Sequence, residues 1–395
     1  MTAQTPFSAS PTLGSLQPSA TLTISSKAKG MIAQGVDVTS LCAGEPDFDT
    51  PEHIKQAAIS ALEGGDTKYT PVAGRPELRQ AIADKLTKEN QVPCEAGQVI
   101  VAPGAKFSVF SAIAALCTAG DEVILTKPYW VSYPEMVKAA GATPVFVDTT
   151  QENGFCMTAA NLRAAVTDKT KLMVLNSPAN PCGGMYSREQ LEEIAGIAVE
   201  KNFMILADEI YEKLVYETEH PHVSIASLNP EIRDLTITVN GFSKAYSMTG
   251  WRLGYLAAPE WLAKKISALQ SHTTSNPTSF AQQGALAALE GPQEAVENMR
   301  QAFRKRRDMI FDLLTDIPGI DVIKPFGAFY IFPDIGSFGL DSMTFAQRAL
   351  DEAKLAVIPG APFGMDAHIR LSYACSDDTI EKAITRLGEF CAKLG

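Results

Sequence analysis

The stretch 235–258, LTITVNGFSKAYSMTGWRLGYLAA, decides the fold. Its ends carry the pattern of buried strands: LTITV (235–239) is rich in β-branched residues, and LGYLAA (253–258) is almost wholly apolar. Between them runs a loop with one lysine, Lys244, and one arginine, Arg252, among serine, aromatic and small residues. An isolated lysine is ordinarily a solvated surface residue. A lysine on a loop between two buried strands lies instead at a sheet edge, where α/β proteins place their chemistry.

Strand and helix patterns alternate outward from this stretch. QVIVAPGAK (98–106) reads as a strand and turn that open a helix. DEVILTKP (121–128), ATPVFVD (142–148), KLMVLNSP (171–178) and FMILADEIY (203–211) read as strands. TPEHIKQAAISAL (50–62) reads as a helix with Thr50 as N-cap, Pro51 at its first position, and Ile54, Ala57, Ala58, Ala61 and Leu62 on one face. SREQLEEIAGIAVE (187–200) opens with Ser187 and Gln190 in capping-box spacing. The alternation predicts an α/β fold with a mostly parallel, doubly wound sheet covered on both faces. After an arginine-rich helical pattern from Glu294 to Leu314 the texture changes. DVIKPFGAFYIFPD, LAVIPG and HIRLSYA are strand patterns spaced by two helical ones, which predicts a smaller α+β unit.

Composition narrows the function. The 395 residues are too many for one compact core and predict two domains. The net charge of −11 disfavours nucleic acid and anionic membrane as partners. Seven scattered cysteines without a CxxC predict reduced thiols, and His220 and His222 read as an ordinary loop pair with no metal site. Residues 1–26 carry no charge, which fits no targeting signal and predicts a loose arm. With no apolar run of membrane-spanning length, a cytoplasmic location is expected.

Polar groups recur where these strands end. Pro103, Gly104, Ala105 and Lys106 open a helix after a buried strand, and small residues there let backbone N–H groups approach an anion. No Walker loop or dinucleotide fingerprint is present. NSPANPCGG (176–184) offers two amides, Asp208 and Glu209 end a strand just before Tyr211, and Ser243, Lys244 and Arg252 complete the set. One lysine, one carboxylate, one arginine and an N–H cradle suit a phosphorylated aromatic aldehyde held as a Schiff base, the chemistry of pyridoxal 5′-phosphate.

These residues carry a family resemblance. AGEPDFDTPEHI, KYTPVAG, PYWVSYPEM, NSPANPCGG, ADEIYE, GFSKAYSMTGWRLGY, GAFY and IRLSYA follow one another in the order seen in class I aminotransferases of PLP fold type I, and the chain most resembles the Ib subgroup of aspartate aminotransferases. The resemblance implies a large PLP-binding domain over residues 49–292, a connecting helix over 293–318, and a small domain built from the arm 1–48 and the segment 319–395. It makes Lys244 the Schiff-base lysine and proton carrier, sets Asp208 against the pyridine nitrogen, and gives Tyr211 and Asn180 the ring oxygen. Trp130 would stack on the ring. Ser243, Arg252 and the Gly104, Ala105 and Lys106 amides would hold the phosphate, with Tyr69 reaching the phosphate of a neighbouring subunit in a homodimer with shared sites. Arg370, with the Gly44 backbone, would clamp the substrate α-carboxylate.

Two departures stand out. Cys182 replaces the family's usual threonine, a change expected to affect packing alone. No arginine lies between Arg252 and Arg300, so the arginine that reads a distal carboxylate in the Ia subgroup is missing. The Ib resemblance gives that role to Lys106, helped by Ser19 and Thr21. The implied reaction is ping-pong transamination between L-aspartate and 2-oxoglutarate, with amino acids and 2-oxo acids as small-molecule partners. A prephenate or broader aromatic aminotransferase is the alternative, followed by a PLP-dependent lyase on the same scaffold.

Overall fold

The structure is a computed structural model that describes residues 10–18 and 20–394. Twelve strands appear in chain order: β1 (Thr39–Ser40), β2 (Val99–Ala102), β3 (Glu122–Thr126), β4 (Thr143–Val147), β5 (Thr170–Asn176), β6 (Met204–Asp208), β7 (Thr236–Gly241), β8 (Gly254–Ala257), β9 (Tyr330–Ile331), β10 (Leu355–Ala356), β11 (Ile358–Pro359) and β12 (Ile369–Ser372). Seven of them form one sheet in the order β2-β8-β7-β6-β5-β3-β4. The pairs among β3 to β7 are parallel, whereas β8 runs antiparallel to both its neighbours. The reason is the linker. Residues 242–253 hold only one short helical turn, Thr249–Trp251. A parallel return needs a longer crossover, so the chain doubles back.

Every residue of β2, β6, β7 and β8 is buried. Successive side chains of a strand point to opposite faces, and the core divides accordingly. Val123, Leu125, Leu172, Val174 and Leu206 join one cluster, while Ile124, Met173 and Ile205 join another. The helix Ala105–Leu116 covers the first face and Arg188–Lys201 the second. Arg188–Lys201 starts at Ser187 with the expected reciprocal cap to Gln190.

The helix Glu294–Thr315 buries Val296, Met299, Phe303, Arg307, Ile310 and Leu314, a stripe of three- and four-residue steps. It leads to the second core, built around Phe329, Tyr330, Phe345, Leu371 and Phe390. There β11-β12-β9 form an antiparallel sheet, and β1 returns from the N-terminal segment to pair in parallel with β10. All seven cysteines are free thiols, as their scatter predicts.

Four expectations are corrected. Residues Ala20–Ala33 form a helix where a loose arm was expected. Pro51, not Thr50, caps the helix Glu52–Glu63, because the Thr50 hydroxyl donates to the Ser247 carbonyl at 2.7 Å and accepts from Trp251 Nε1 at 3.0 Å. Only Ile54 and Ala58 of that helix's apolar face are buried, and Leu62 is 49% exposed. LAVIPG divides into β10 and β11, which pair with different sheets.

Candidate active site

The parallel register brings the ends of β5, β6 and β7 to one edge, and β2 ends there too. Asn176 closes β5, Asp208 closes β6, and Ser243 and Lys244 follow β7. The second core supplies the opposite wall through Tyr330 of β9 and Arg370 of β12. Between the walls lies a cavity of about 670 Å³, lined among others by Lys244, Asp208, Tyr211, Trp130, Arg252 and Arg370.

Lys244 Nζ donates to the Gly44 carbonyl and lies 5.6 Å from the centre of the Phe329 ring. Burial lowers its pKa to about 8; Glu45 and Asp208 oppose that shift, while Arg370 and Arg252 add to it. Its amine can therefore gain and lose a proton near neutral pH.

Asp208 is 4% exposed. Its Oδ2 accepts from Tyr133 Oη at 2.6 Å and its Oδ1 from the Ile210 N–H at 3.3 Å. Burial raises its pKa to about 6 against those two hydrogen bonds. A cationic N–H placed here would stabilise the carboxylate. Tyr211 and Tyr330 share a hydroxyl contact at 3.1 Å.

The N-terminus of the helix Ala105–Leu116 forms a cradle. Gly104 caps it at φ 88°, and Arg252 sits beside it in the left-handed region at φ 54°. A Cβ on Gly104 would stand 2.5 Å from Arg252 Nη2, and one on Gly254 would stand 2.2 Å from the Ala105 nitrogen. Glycine at both positions lets the helix N–H groups and the guanidinium converge, which suits a phosphate. Lys106 extends over Trp130, 4.8 Å from the ring centre, and its pKa is lowered by burial and by Arg252.

Arg370 is held by groups without full charge. Its Nη1 donates to Asn180 Oδ1 at 3.1 Å and its Nη2 to the Cys42 carbonyl at 3.2 Å. The guanidinium lies 4.4 Å from the Tyr330 ring centre and 5.3 Å from that of Phe363. Its buried Nε has no hydrogen-bond partner, and among the described residues no carboxylate forms an ion pair with it.

The family described as aminotransferase class I and II matches residues 36–387. The chain belongs to that family.

An aspartate aminotransferase of Bacillus sp. (strain YM-2) is 49% identical over 380 residues, covering 95% of this chain and 97% of the relative. A probable aspartate/prephenate aminotransferase of Aquifex aeolicus (strain VF5) is 48% identical over 377 residues, covering 94% and 95%. A solved aspartate aminotransferase from Thermus thermophilus with maleate superposes with a TM-score of 0.93 at 43% identity, covering 97% of this chain and 100% of that one. The fold is thus the type I fold of these aminotransferases.

Lys244, Asp208, Tyr211, Trp130, Asn180, Ser243, Arg252, Ala105, Lys106, Gly44 and Arg370 all line the cavity of this aminotransferase. Gly104 stands against Arg252 just behind them. Tyr69 does not join them: it is 92% exposed. Ser19 and the side chain of Thr21 lie outside the described residues. Sequence reading missed Tyr133, Tyr330, Glu45 and Thr249. Tyr133 stands inside PYWVSYPEM and Tyr330 ends GAFY, so both lay in recognised stretches without an assigned role. Thr249 Oγ1 donates to Glu45 Oε2 at 2.7 Å. That contact joins two recognised stretches, AGEPDFDTPEHI and GFSKAYSMTGWRLGY, and their pairing across 204 positions leaves no local pattern.

Proposed function

We propose that this aminotransferase uses pyridoxal 5′-phosphate to move an amino group between L-aspartate and 2-oxoglutarate, as a cytoplasmic homodimer. The observation that carries the reading is the pair of cations in one cavity: Lys244 with a lowered pKa of about 8, and Arg370 without a carboxylate partner among the described residues. The names of the relatives quoted above support the substrate.

The cradle at Gly104 and Arg252 fits a phosphate, so the residues present fit the cofactor. Ser243, Arg252 and the Gly104–Lys106 amides would hold its phosphate, Asp208 its ring nitrogen, Tyr211 and Asn180 its ring oxygen, and Trp130 its face. When bound, the cofactor supplies an electron sink for the pair released as the substrate Cα–H bond breaks. Lys244 Nζ takes that proton and later returns it. Asp208 would stay anionic against the ring nitrogen, with Tyr133 fixing its orientation. Arg370 orients the α-carboxylate, and Lys106 meets the distal carboxylate. Ser19 and Thr21 are proposed to assist Lys106.

The exposure of Tyr69 supports a role outside its own subunit, at the neighbour's phosphate. Arg370 and Lys244 stand on opposite walls, which supports the division into residues 49–292, a connecting helix over 293–318, and a small domain from 1–48 and 319–395 that closes on substrate. Among the described residues no helix is long and apolar enough to cross a membrane.

A half-reaction tests the substrate. The protein is loaded with pyridoxamine phosphate and mixed separately with oxaloacetate, 2-oxoglutarate, prephenate or phenylpyruvate, and the return of the visible absorbance is followed. Fast recovery with the first two alone is expected. Equal recovery with prephenate replaces aspartate specificity with a dual one, and no recovery with any keto acid overturns the aminotransferase reading in favour of a lyase.

A further inference from the structure

The turn that carries Asp208 and Tyr211 has a second face. Its Glu212 N–H donates to the Glu209 carbonyl at 2.9 Å. Asp208 and Tyr211 line the active-site cavity. Glu209 and Glu212, each one residue further along, meet His222 instead, with ligand-type atoms of all three within 4.8 Å of one another. His222, a loop residue, thus faces two carboxylates.

Glu209 is 3% exposed, and its Oε2 lies 3.3 Å from His222 Nε2, close enough for an ion pair though not aligned as a hydrogen bond. On the far side Glu212 is gripped by the Lys85 ammonium and the Asn90 amide, one on each oxygen. Lys85, itself 8% exposed, also donates to Asn90 Oδ1 at 2.7 Å. Burial alone would raise the Glu212 pKa; Lys85, His222 and Asn90 outweigh it and lower the value to about 2.

The charges then decide the state of the ring. Lys85 brings one positive charge, and Glu209 and Glu212 bring two negative ones. A neutral His222 leaves this group, in which Lys85 and Glu209 are buried and Glu212 and His222 half-buried, with one uncompensated negative charge, which is costly. A protonated His222 closes it at zero. Glu89, Lys213 and Arg188, together with Glu212 and His222 themselves, line a cavity of about 210 Å³. Glu89 and Lys213 pair with each other at 2.5 Å, and Arg188 faces Glu192 at 3.9 Å, so they leave the balance unchanged. In agreement, the His222 pKa is raised: burial opposes the charge, Glu209 and Glu212 outweigh it, and Lys85 only partly offsets them.

We propose that His222 is a positioning residue that sits as an imidazolium between Glu209 and Glu212, closing a Lys85–Glu212–His222–Glu209 charge chain that fixes the turn aiming Asp208 and Tyr211 into the active site. The functional half of this statement rests on the active-site reading above. Its electrostatic consequence reaches Asp208, because the Glu209 charge raises the Asp208 pKa. An imidazolium 3.3 Å from Glu209 would offset part of that field.

The experiment compares cofactor-loaded wild type with His222→Gln, Glu209→Gln and the double variant. The folded-state pKa of His222 is raised, so its stabilisation is complete below the ordinary value of 6.5 and drains away as pH rises through the folded value. Across that window the wild-type melting temperature should fall relative to that of His222→Gln. Glu209→Gln should flatten the same window by itself, which keeps the test decisive if His222→Gln does not fold. The two substitutions should be strongly non-additive. The second readout is the pH titration of the bound cofactor's visible absorbance. It should shift in His222→Gln and return toward wild type when Glu209→Gln is added.

Parallel melting profiles or additive effects overturn the proposal. A changed melting profile with an unmoved absorbance titration reduces the cluster to a stabilising one and overturns the positioning role. Zinc ions that raise the wild-type melting temperature and erase its pH dependence show a cation in place of the proton, which also overturns it. The melting comparison does not depend on which keto acid is used, so failure of the aspartate reading leaves it standing.

Discussion

Lys244 and Arg370 face one cavity from opposite walls, and opposite physics governs them. Lys244 stands at the sheet edge, where burial lowers its pKa to about 8 and lets its charge come and go. Arg370 stands on β12 with a guanidinium that keeps its charge. It is held by an amide oxygen, a carbonyl and two aromatic rings rather than by a carboxylate. A carboxylate partner would compete with a substrate carboxylate for the same donors. On the proposed function, one cation exchanges a proton and the other remains charged and available.

The largest expected effect comes from removing the exchangeable cation. Lys244→Ala should lower kcat by at least about 10²–10⁴-fold while the cofactor remains bound. Single-turnover spectroscopy checks both halves, and turnover near the wild-type rate would break the comparison at its root.

Arg370→Lys sharpens the other side. It keeps the charge but loses the planar fork, so kcat/KM should fall on the order of 10- to 100-fold for amino donors of every side chain. A loss restricted to dicarboxylic donors would move Arg370 to the distal end of the substrate.

Lys106→Met separates the substrate's two carboxylates. Aspartate and 2-oxoglutarate should lose roughly 10-fold in kcat/KM, with donors lacking a distal carboxylate spared. Equal losses for both kinds of donor would assign Lys106 to the phosphate cradle alone.

The smallest effect tests how Lys244 is tuned. Glu45 holds the Lys244 pKa up against burial. Glu45→Gln should therefore move the acid limb of the pH–rate profile to lower pH and change the plateau little. A shift to higher pH would show that burial and the neighbouring arginines do not set the balance.

Legibility in the sequence followed the range of each interaction. The strands around Lys244, the carboxylate ending β6 and the Ser187–Gln190 cap depend on near neighbours and could be read directly. The helix Ala20–Ala33 could not. It has little amphipathic pattern, and among its described side chains Ala28 is the one that is buried. Leu62 matched an apolar helical face yet stays exposed, because periodicity describes a surface and not what covers it. Thr50 matched a cap and was taken instead by Ser247 and Trp251. Tyr133 and Tyr330 lay in recognised stretches, but only the fold brings their hydroxyls to Asp208 and Tyr211.

The sequence by itself determined the strands of the large sheet, the edge where they end and most of the groups brought there, since local propensity, strand periodicity and side-chain chemistry travel with the chain. The tertiary structure alone decided their states. Arg370 meets the Cys42 carbonyl across 328 positions, and Lys85 meets Glu212 across 127. Whether a buried group keeps its proton depends on burial and on charges a few ångströms away through space. Those neighbours are chosen by how the chain folds back on itself, which local pattern does not encode.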